Sequence, residues 1–298
     1  MSSKPIGFIG LGIMGAPMAK NLLEAGFKLI GYNRSPEPLE TFIGHGGKRA
    51  ESPQAVAERA DVVITCLSDT DAVREVVQGS DGVLNGIGED TTYIDMSTIS
   101  PTATEDLAEA VTDAGGNMLD APISGGEQGA IEGSLSIMIG GDPEELDAQR
   151  DVLNVLGDRI THCGPSGAGQ TTKACNQILV AAQATAVSEA LVFAQRAGAD
   201  LEAVIEAISG GAASCWTLEN RASRMIEGNF DPGFFASYQY KDLRIASDAG
   251  EAFGAPMPQT SVTHELYKAM ENTGRGSDDS SGVIQVLEDL AGEQARKE

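Results

Sequence analysis

Three glycines near the start of the chain could hold a phosphate group. In the stretch GFIGLGIMGAPMAKNLL they lie between an apolar run and a segment of helical periodicity, with the spacing GxGxxG. In such a loop the first glycine allows a tight turn, the second lets the backbone approach a pyrophosphate, and the third lets the helix pack closely on the strand. The sequence therefore predicts a dinucleotide site formed by Gly10, Leu11, Gly12, Ile13, Met14 and Gly15.

The ribose end of this dinucleotide would meet Asn33, Arg34 and Ser35. An NAD-selective site carries Asp or Glu about 20 residues beyond the glycines, whereas these three side chains include no carboxylate. Because a guanidinium binds phosphate in bidentate fashion, we expect NADP to be the preferred cofactor, with NAD also possible. In the alternative interpretation Arg34 stacks on the adenine or lies in solvent.

A serine and two glycines in DAPISGGEQGA could bind a carboxylate. The N–H groups of Gly125 and Gly126, beside the hydroxyl of Ser124, would form an uncharged anion site. The alternative is a turn whose glycines serve only a backbone conformation with positive φ.

Two lysines could transfer a proton or stabilise charge. Lys173 and Asn176 are three residues apart in GAGQTTKACN and would share one helical face, and the apolar residues that follow indicate a half-buried position. A desolvated lysine can transfer a proton, although a helical lysine is more often a solvated surface charge. Lys241, in YKDL, belongs either to the site or to an exposed ion pair with Asp248.

Hydrophobic periodicity divides the chain into two domains. In residues 1–164 short apolar runs alternate with amphipathic segments, which indicates an α/β domain with a doubly wound, mostly parallel sheet. Residues 165–298 show helical patterns only. The predicted strands are 5–10, 28–32, 61–67, 92–96, 117–120, 135–140 and 159–163, and the predicted helices of the second domain are 169–197, 201–208, 218–227, 235–253, 259–272 and 281–291.

Composition excludes several classes of partner. The 298 residues include 44 acidic and 20 basic ones, so the net charge of −24 argues against binding to nucleic acid or to an anionic membrane. The acid excess is typical of proteins from a salt-rich cytoplasm and equally of an ordinary acidic bacterial protein. Four cysteines without CxxC spacing and three histidines without a ligand pair predict a reduced, cytoplasmic protein with no metal site. No signal peptide or membrane span is predicted.

Five motifs together resemble the β-hydroxyacid dehydrogenase family. They are GFIGLGIMGAPMAKNL, IDMST, DAPISGGEQGA, GAGQTTKACNQ and KDLRIASD, and they occur in the family's order over nearly the whole chain. The resemblance implies an N-terminal Rossmann domain that binds NAD(P), followed by a helical C-terminal domain for substrate binding and oligomerisation. It further implies a homodimer or homotetramer.

The resemblance also implies roles for matching residues. Lys173 matches the catalytic lysine and Asn176 the neighbour that orients substrate. The expected substrate-carboxylate site is Ser124, Gly125 and Gly126, and the expected further cofactor contacts are Leu67, Ser68, Thr98 and Lys241, the last of which also approaches substrate. Ser68 departs from the family pattern, because many relatives have proline there, and this departure puts the shape of the local loop in question.

The implied activity is an NAD(P)-dependent hydride transfer between a small 3-hydroxy acid and its semialdehyde, with Lys173 as general acid and base. The motifs fit 3-hydroxyisobutyrate dehydrogenase or tartronate semialdehyde (2-hydroxy-3-oxopropionate) reductase, because Ser214-Cys215-Trp216 resembles the former and DAPISGGE the latter. Another semialdehyde reductase of the family and a non-catalytic NADP-binding module are the alternatives. A 6-phosphogluconate dehydrogenase is excluded, because its helical domain is too long for this chain.

Overall fold

The computed structural model describes residues 4–89 and 91–297. These residues form two compact units, one of which ends at Lys173 while the other begins at Ala174. The division lies inside a long helix, so the first residues of this helix belong to the unit that contains the sheet. The sequence instead suggests a division at the glycine-rich break near residue 165.

The first unit is built on a nine-stranded sheet. Its strands are β1 (Ile6–Ile9), β2 (Leu29–Tyr32), β3 (Lys48–Arg49), β4 (Val62–Thr65), β5 (Thr92–Asp95), β6 (Asn117–Asp120), β7 (Ile123–Ser124), β8 (Ser136–Gly140) and β9 (Arg159–Gly164). The order is β3-β2-β1-β4-β5-β6-β8-β7, with β9 paired to β8. Neighbours from β3 to β6 are parallel, whereas β8 is antiparallel to β6 and β7. The predicted doubly wound, mostly parallel sheet is confirmed.

Helices cover both faces of this sheet. They are α1 (Gly15–Glu24), α2 (Pro36–Gly44), α3 (Pro53–Ala57), α4 (Thr70–Gln78), α5 (Pro101–Asp113), α6 (Gly126–Glu132), α7 (Pro143–Ala148) and α8 (Arg150–Leu156), with a 3₁₀ turn at Val83–Asn85. Successive strand residues point to opposite faces. Phe8 therefore packs in one apolar cluster with Met18 and Leu22, while the next residue, Ile9, packs in a second cluster with Val63.

The second unit is helical, as predicted. Its helices are the remainder of α9 (Ala168–Arg196), then α10 (Leu201–Ser209), α11 (Trp216–Asn220), α12 (Ala222–Glu227), α13 (Ala236–Ala252), α14 (Pro258–Asn272) and α15 (Ile284–Ala291), with a 3₁₀ turn at Ser280–Val283 before α15. Two apolar clusters form its core, one around Leu191 and Met225 and the other around Leu243 and Tyr267.

Arg221 divides one predicted helix into two. The sequence predicts a single helix over 218–227, but the backbone at Arg221, with φ −126°, separates α11 from α12. The Arg221 guanidinium lies 4.7 Å from the centre of the Trp216 ring and 3.6 Å from the buried carboxylate of Asp279. The prediction of one continuous helix was wrong, because a contact to a residue distant in the chain accompanies this break and leaves no trace in local periodicity.

Within residues 4–89 and 91–297, α9 is the one helix long and apolar enough to cross a membrane by length and composition. The core helix of a soluble protein meets the same criterion. Ala181, Ala184 and Leu191 of α9 are buried in the apolar clusters of the helical unit, which agrees with the buried helix that the sequence predicts.

Candidate active site

The predicted cofactor and substrate loops of the first unit lie along one edge of the sheet. They are the glycine loop after β1, residues 33–35 after β2, residues 67–68 after β4, Thr98 after β5 and residues 124–126 shortly after β6. Because these strands are parallel, their carboxyl ends share an edge, and doubly wound sheets bind ligands there.

The space around the position of a Cβ atom differs among the three glycines of the loop. Gly10 has φ +96°, and a Cβ there would overlap the carbonyl oxygen of Cys66. A Cβ on Gly15 would overlap the carbonyl oxygen of Gly10, so this glycine permits the close approach of α1 to β1. A Cβ on Gly12 would meet no heavy atom within 4 Å. The second glycine thus faces open space, where the backbone is accessible to a pyrophosphate.

Asn33 links the ribose end to the glycine loop. Its Oδ1 accepts a hydrogen bond from the N–H of Leu11 at 2.9 Å, and its Nδ2 donates to the carbonyl oxygen of Ser35 at 2.9 Å. Arg34 is exposed and forms no ion pair within the described part of the chain. Its guanidinium is therefore available to an external anion.

A buried carboxylate at the end of β5 holds two of the loops predicted to contact the cofactor. Asp95 is fully buried, and its Oδ1 accepts hydrogen bonds from Thr65 Oγ1 at 2.8 Å and from the N–H of Ser97 at 3.1 Å. Ser97 Oγ in turn accepts from the N–H of Leu67 at 2.9 Å. These bonds fix the segments that carry Leu67 and Thr98.

Burial raises the pKa of Asp95 to about 6, although the hydrogen bonds from Ser97 and Thr65 oppose this rise. A carboxyl group whose folded-state pKa is raised stabilises the fold only while it is protonated. The contribution of Asp95 is therefore complete below its ordinary pKa of 3.8 and is lost as the pH rises through about 6.

A second buried carboxylate, Asp120 at the end of β6, holds the start of α9. Its Oδ1 accepts from the N–H of Gly167 at 2.8 Å and its Oδ2 from the N–H of Gln170 at 2.9 Å. Burial raises the pKa of Asp120, and the backbone N–H groups of Gly167 and Gln170 counteract the rise. A Cβ on Gly169 would lie 2.7 Å from Asp120 Oδ2. The glycines of GAGQ thus allow a helix N-terminus, with its partial positive charge, to reach the carboxylate.

Lys173 follows this anchored turn. It lies three residues after Gln170 in the same helix and is only 6% exposed. The sequence predicted that Lys173 is half-buried, and in the structure it is more deeply buried than that. Because Asp120 fixes the start of α9 at the carboxyl edge of the sheet, the backbone of Lys173 is positioned from that edge.

The predicted carboxylate site combines a free hydroxyl with free N–H groups. Gly125 and Gly126 have φ +141° and +64°, and Gly126 begins α6. In the described part of the chain, neither their N–H groups nor the Ser124 hydroxyl donates to a protein acceptor. The positive φ values account for the two glycines as a turn, and the unpaired donors leave carboxylate binding open as a prediction.

In the helical unit the structure links the two predicted residues Asn176 and Lys241. Asn176 Nδ2 donates to Gln177 Oε1 at 2.8 Å, and Gln177 Nε2 donates to Asp242 Oδ2. Asp242 Oδ1 lies 3.0 Å from Lys241 Nζ. Lys241 therefore pairs with the adjacent, buried Asp242, whereas the exposed pair considered from the sequence was with Asp248.

Sequence reasoning missed Asp95, Asp120, Gln170 and Asp242 as residues that hold the site. All four are buried polar side chains. The available signal was an aspartate that ends an apolar strand, as in TYID and NMLD, because a charge at that position must find partners when the strand is buried.

The donor set fits a nicotinamide dinucleotide and gives no sign of a metal. No group of three or more His, Cys, Asp or Glu side chains suited to a metal ion occurs among residues 4–89 and 91–297. The open approach at Gly12 fits a pyrophosphate, and the guanidinium of Arg34 is exposed. A Rossmann sheet with a glycine loop of this kind is the architecture on which nicotinamide-dependent oxidoreductases bind their cofactor.

Comparisons with known proteins give the family. Residues 5–164 match the family model described as the NAD-binding domain of 6-phosphogluconate dehydrogenase, and residues 167–287 match that of NADP-dependent 3-hydroxyisobutyrate dehydrogenase. The chain is 42% identical to 2-hydroxy-3-oxopropionate reductase of Escherichia coli, over 96% of this chain and 98% of that protein. It is 36% identical to mitochondrial 3-hydroxyisobutyrate dehydrogenase of Rattus norvegicus, over 96% and 88% respectively.

A solved structure agrees with these relatives. The structure of Mycobacterium tuberculosis 3-hydroxyisobutyrate dehydrogenase with L-serine is similar with a TM-score of 0.89 and 35% identity, over 96% of this chain and 99% of that one. The chain belongs to the β-hydroxyacid dehydrogenase family, whose members are oxidoreductases that bind a nicotinamide cofactor.

The glycine loop provides a matched pair of variants. Gly12→Ala should leave the melting temperature unchanged but weaken NADPH binding by about tenfold or more, because its methyl group enters the space through which the pyrophosphate approaches. Gly15→Ala should destabilise the protein by about 1–3 kcal/mol, because its methyl group meets backbone. Thermal unfolding and fluorescence titration with NADPH measure both. Equal losses of stability in the two variants would contradict this assignment.

Proposed function

We propose that this protein interconverts a small 3-hydroxy acid and its semialdehyde, with NADP as the preferred cofactor and Lys173 as general acid and base. The supporting observation is the anchoring of α9 by Asp120, which places the backbone of Lys173 at the sheet edge where the cofactor loops and residues 124–126 lie. Its relatives named for 3-hydroxyisobutyrate and 2-hydroxy-3-oxopropionate support the substrate class.

The mechanism assigns each step to residues of this chain. Ser124, Gly125 and Gly126 bind the substrate carboxylate through their hydroxyl and N–H donors. Bound nicotinamide supplies the hydride for reduction or accepts it in oxidation. Lys173 as ammonium donates a proton to the carbonyl oxygen in reduction, and as neutral amine it accepts the hydroxyl proton in oxidation. Asn176 orients the substrate, and Lys241 contributes positive charge to substrate and cofactor.

Cofactor contacts are proposed for the whole predicted set. The pyrophosphate binds to backbone of Gly10, Leu11, Gly12, Ile13, Met14 and Gly15, and the ribose end binds to Asn33, Arg34 and Ser35. The remaining contacts come from Leu67, Ser68, Thr98 and Lys241. We propose that residues 1–164 serve the cofactor and residues 165–298 serve substrate binding and oligomerisation, in a soluble cytoplasmic enzyme. Adaptation to a salt-rich cytoplasm stays a prediction from the net charge of −24.

The substrate is tested with purified protein and a panel of small 3-hydroxy acids and 3-oxo acids, following NADPH and NADH absorbance in both directions. Turnover of 3-hydroxyisobutyrate, of tartronate semialdehyde or of another member of the panel separates the candidates within the family. NADPH binding without turnover of any acid would support the alternative, a non-catalytic NADP-binding module.

Replacing the lysine tests the mechanism. Lys173→Ala should lower kcat by about 10²-fold or more, because a positioned proton donor contributes at least this much. NADPH affinity should be retained, because the proposed phosphate donors lie in the glycine loop and at Arg34. Steady-state kinetics and fluorescence titration measure the two effects. A variant with near wild-type kcat would remove Lys173 from the mechanism.

Cofactor choice is tested at the ribose end. A charge-assisted bidentate contact contributes about 1.5–3 kcal/mol, so the wild-type enzyme should prefer NADPH over NADH by about 10- to 100-fold in kcat/KM. Arg34→Ala should erase most of this preference. Asn33→Asp should reverse it, because the introduced carboxylate repels a ribose phosphate and can still accept from the N–H of Leu11, although the hydrogen bond to the carbonyl oxygen of Ser35 is lost. A wild-type preference for NADH would contradict the proposal.

We propose further that a second copy of this chain covers the exposed apolar face of α9. Leu179 and Phe193 are 60% and 72% exposed, and Ala186 and Ala190 between them are also exposed. Their spacing places all four on one helical face about 21 Å long. Such a stripe can pair with itself about a two-fold axis, as in the homodimers and homotetramers that the family resemblance implies.

The oligomer is tested by sedimentation velocity. The wild-type protein should sediment as a dimer or tetramer, and Phe193→Glu should dissociate it, because the new carboxylate would be buried without a partner. Leu290→Glu is the matched control, since Leu290 is 76% exposed on α15 and lies outside the stripe. A monomeric wild-type protein, or equal dissociation by both variants, would contradict this interface.

A further inference from the structure

Gln170 is a buried side chain whose amide nitrogen and amide oxygen both form hydrogen bonds. Its side chain is 1% exposed, its Nε2 donates to the carbonyl oxygen of Ser97 at 2.8 Å, and its Oε1 accepts from the N–H of Ile99 at 3.1 Å. Its own N–H donates to Asp120 at 2.9 Å. One residue thus joins the end of β6, the start of α9 and the segment after β5.

The joined segment contains a predicted cofactor contact. Thr98 lies between the two residues that Gln170 holds, and both of these, Ser97 and Ile99, are buried. On the other side, Lys173 follows Gln170 by three residues in α9, less than one helical turn. The amide therefore links the backbone on both sides of Thr98 to the helical turn that carries Lys173.

A side chain that only filled space would not need this chemistry. Methionine has a similar length and fits irregular cores, but it would leave the N–H of Ile99 and the carbonyl oxygen of Ser97 without their partner. Buried backbone groups without a partner are costly, so the segment would shift to find other partners. The amide therefore fixes position as well as filling volume.

We propose that Gln170 is a positioning residue for catalysis: it holds residues 97–99 at a fixed distance from the helical turn of Lys173. The inference rests on the proposed function, in which Thr98 contacts the cofactor and Lys173 transfers the proton. Without the amide, the protein still folds and binds NADPH through the glycine loop, but the proton donor and the cofactor are no longer held at a fixed distance from each other.

The first test replaces the amide by Gln170→Met. We expect kcat to fall by about 10- to 100-fold, because displacements near 1 Å can cost 10²-fold, while the dissociation constant of NADPH and the substrate KM stay within about threefold. Hydrogen exchange at the Ile99 amide should become about five- to tenfold faster as its acceptor is lost.

Gln149→Met is the matched control in the same unit. Gln149 Nε2 donates to Thr92 Oγ1 at 3.1 Å and to Glu145 Oε1 at 2.9 Å, at the opposite end of β5 from Asp95. This variant loses comparable hydrogen bonds and should lower the melting temperature without lowering kcat. If both variants lower kcat to the same extent, Gln170 has only a structural role and the proposal is overturned.

A second variant keeps the test decisive if Gln170→Met is poorly folded. In Gln170→Glu the introduced carboxyl group donates to Ser97 only when protonated, and the neighbouring carboxyl groups of Asp95 and Asp120 favour protonation while the ammonium of Lys173 opposes it. Its activity relative to wild type should therefore rise as the pH falls from 8 to 6. A ratio independent of pH would contradict the proposed donor.

The outcomes separate this inference from the proposed function. If the wild-type protein turns over no hydroxy acid, the proposed function fails, and hydrogen exchange alone decides whether Gln170 holds residues 97–99. If the wild-type protein is active and Gln170→Met retains its kcat, the proposed function stands and the positioning role is wrong.

Discussion

The site depends on the buried carboxylate of Asp120. A carboxylate so deeply buried is costly unless donors surround it. Here the donors are the N–H groups of Gly167, directly before α9, and of Gln170 in its first turn, and the partial positive charge of the helix N-terminus also favours the anion. To bring those N–H groups so close, the chain needs Gly169, since a side chain there would meet Asp120. The same contact fixes the start of α9, and Gln170 and Lys173 are positioned from it. The need to stabilise one buried carboxylate therefore determines where α9 begins and, through it, where the backbone of Lys173 lies.

The acid excess of the chain raises a physical question, because both proposed ligands are anions. At ordinary ionic strength, salt screens the repulsion from the net charge of −24 beyond about 8–10 Å. At contact distance the proposed sites offer backbone N–H groups, at the glycine loop and at Gly125 and Gly126, together with Arg34, Lys173 and Lys241. Local donors of this kind do not depend on the overall charge. An acidic surface and anionic ligands are thus compatible, because they act at different distances.

The sequence predicted what is local and missed what is distant. Strands of four or more residues and the long helices followed from periodicity, whereas β3 and β7 have two residues each and carry too short a pattern. The positions of the loops could be predicted from the motifs, because in GxGxxG and Ser-Gly-Gly the residues that determine the backbone conformation are close together in the sequence. The contacts of Asp120 with Gly167, of Ile99 with Gln170 and of Gln177 with Asp242 span 47, 71 and 65 residues. In a single sequence Gln170, Gln177 and Asp242 look like ordinary surface residues, and only Asp120 is marked, by its position at the end of an apolar strand.

The two semialdehydes proposed as substrates differ by a methyl group against a hydroxyl on the carbon next to the carboxylate. The aromatic residues before Lys241 do not supply an obvious discriminating wall, because Tyr240 stacks on His264 at 4.9 Å and Phe235 contacts Tyr238 at 5.3 Å. An apolar pocket rejects an added hydroxyl by only about 10²-fold, whereas a site built to hydrogen-bond that hydroxyl rejects the methyl analogue by about 10⁴-fold or more. The size of the preference between the two semialdehydes therefore reveals the nature of the pocket. A strong preference requires a polar partner for the hydroxyl, and Asn176, with its amide held by Gln177, is the candidate that the helical unit offers.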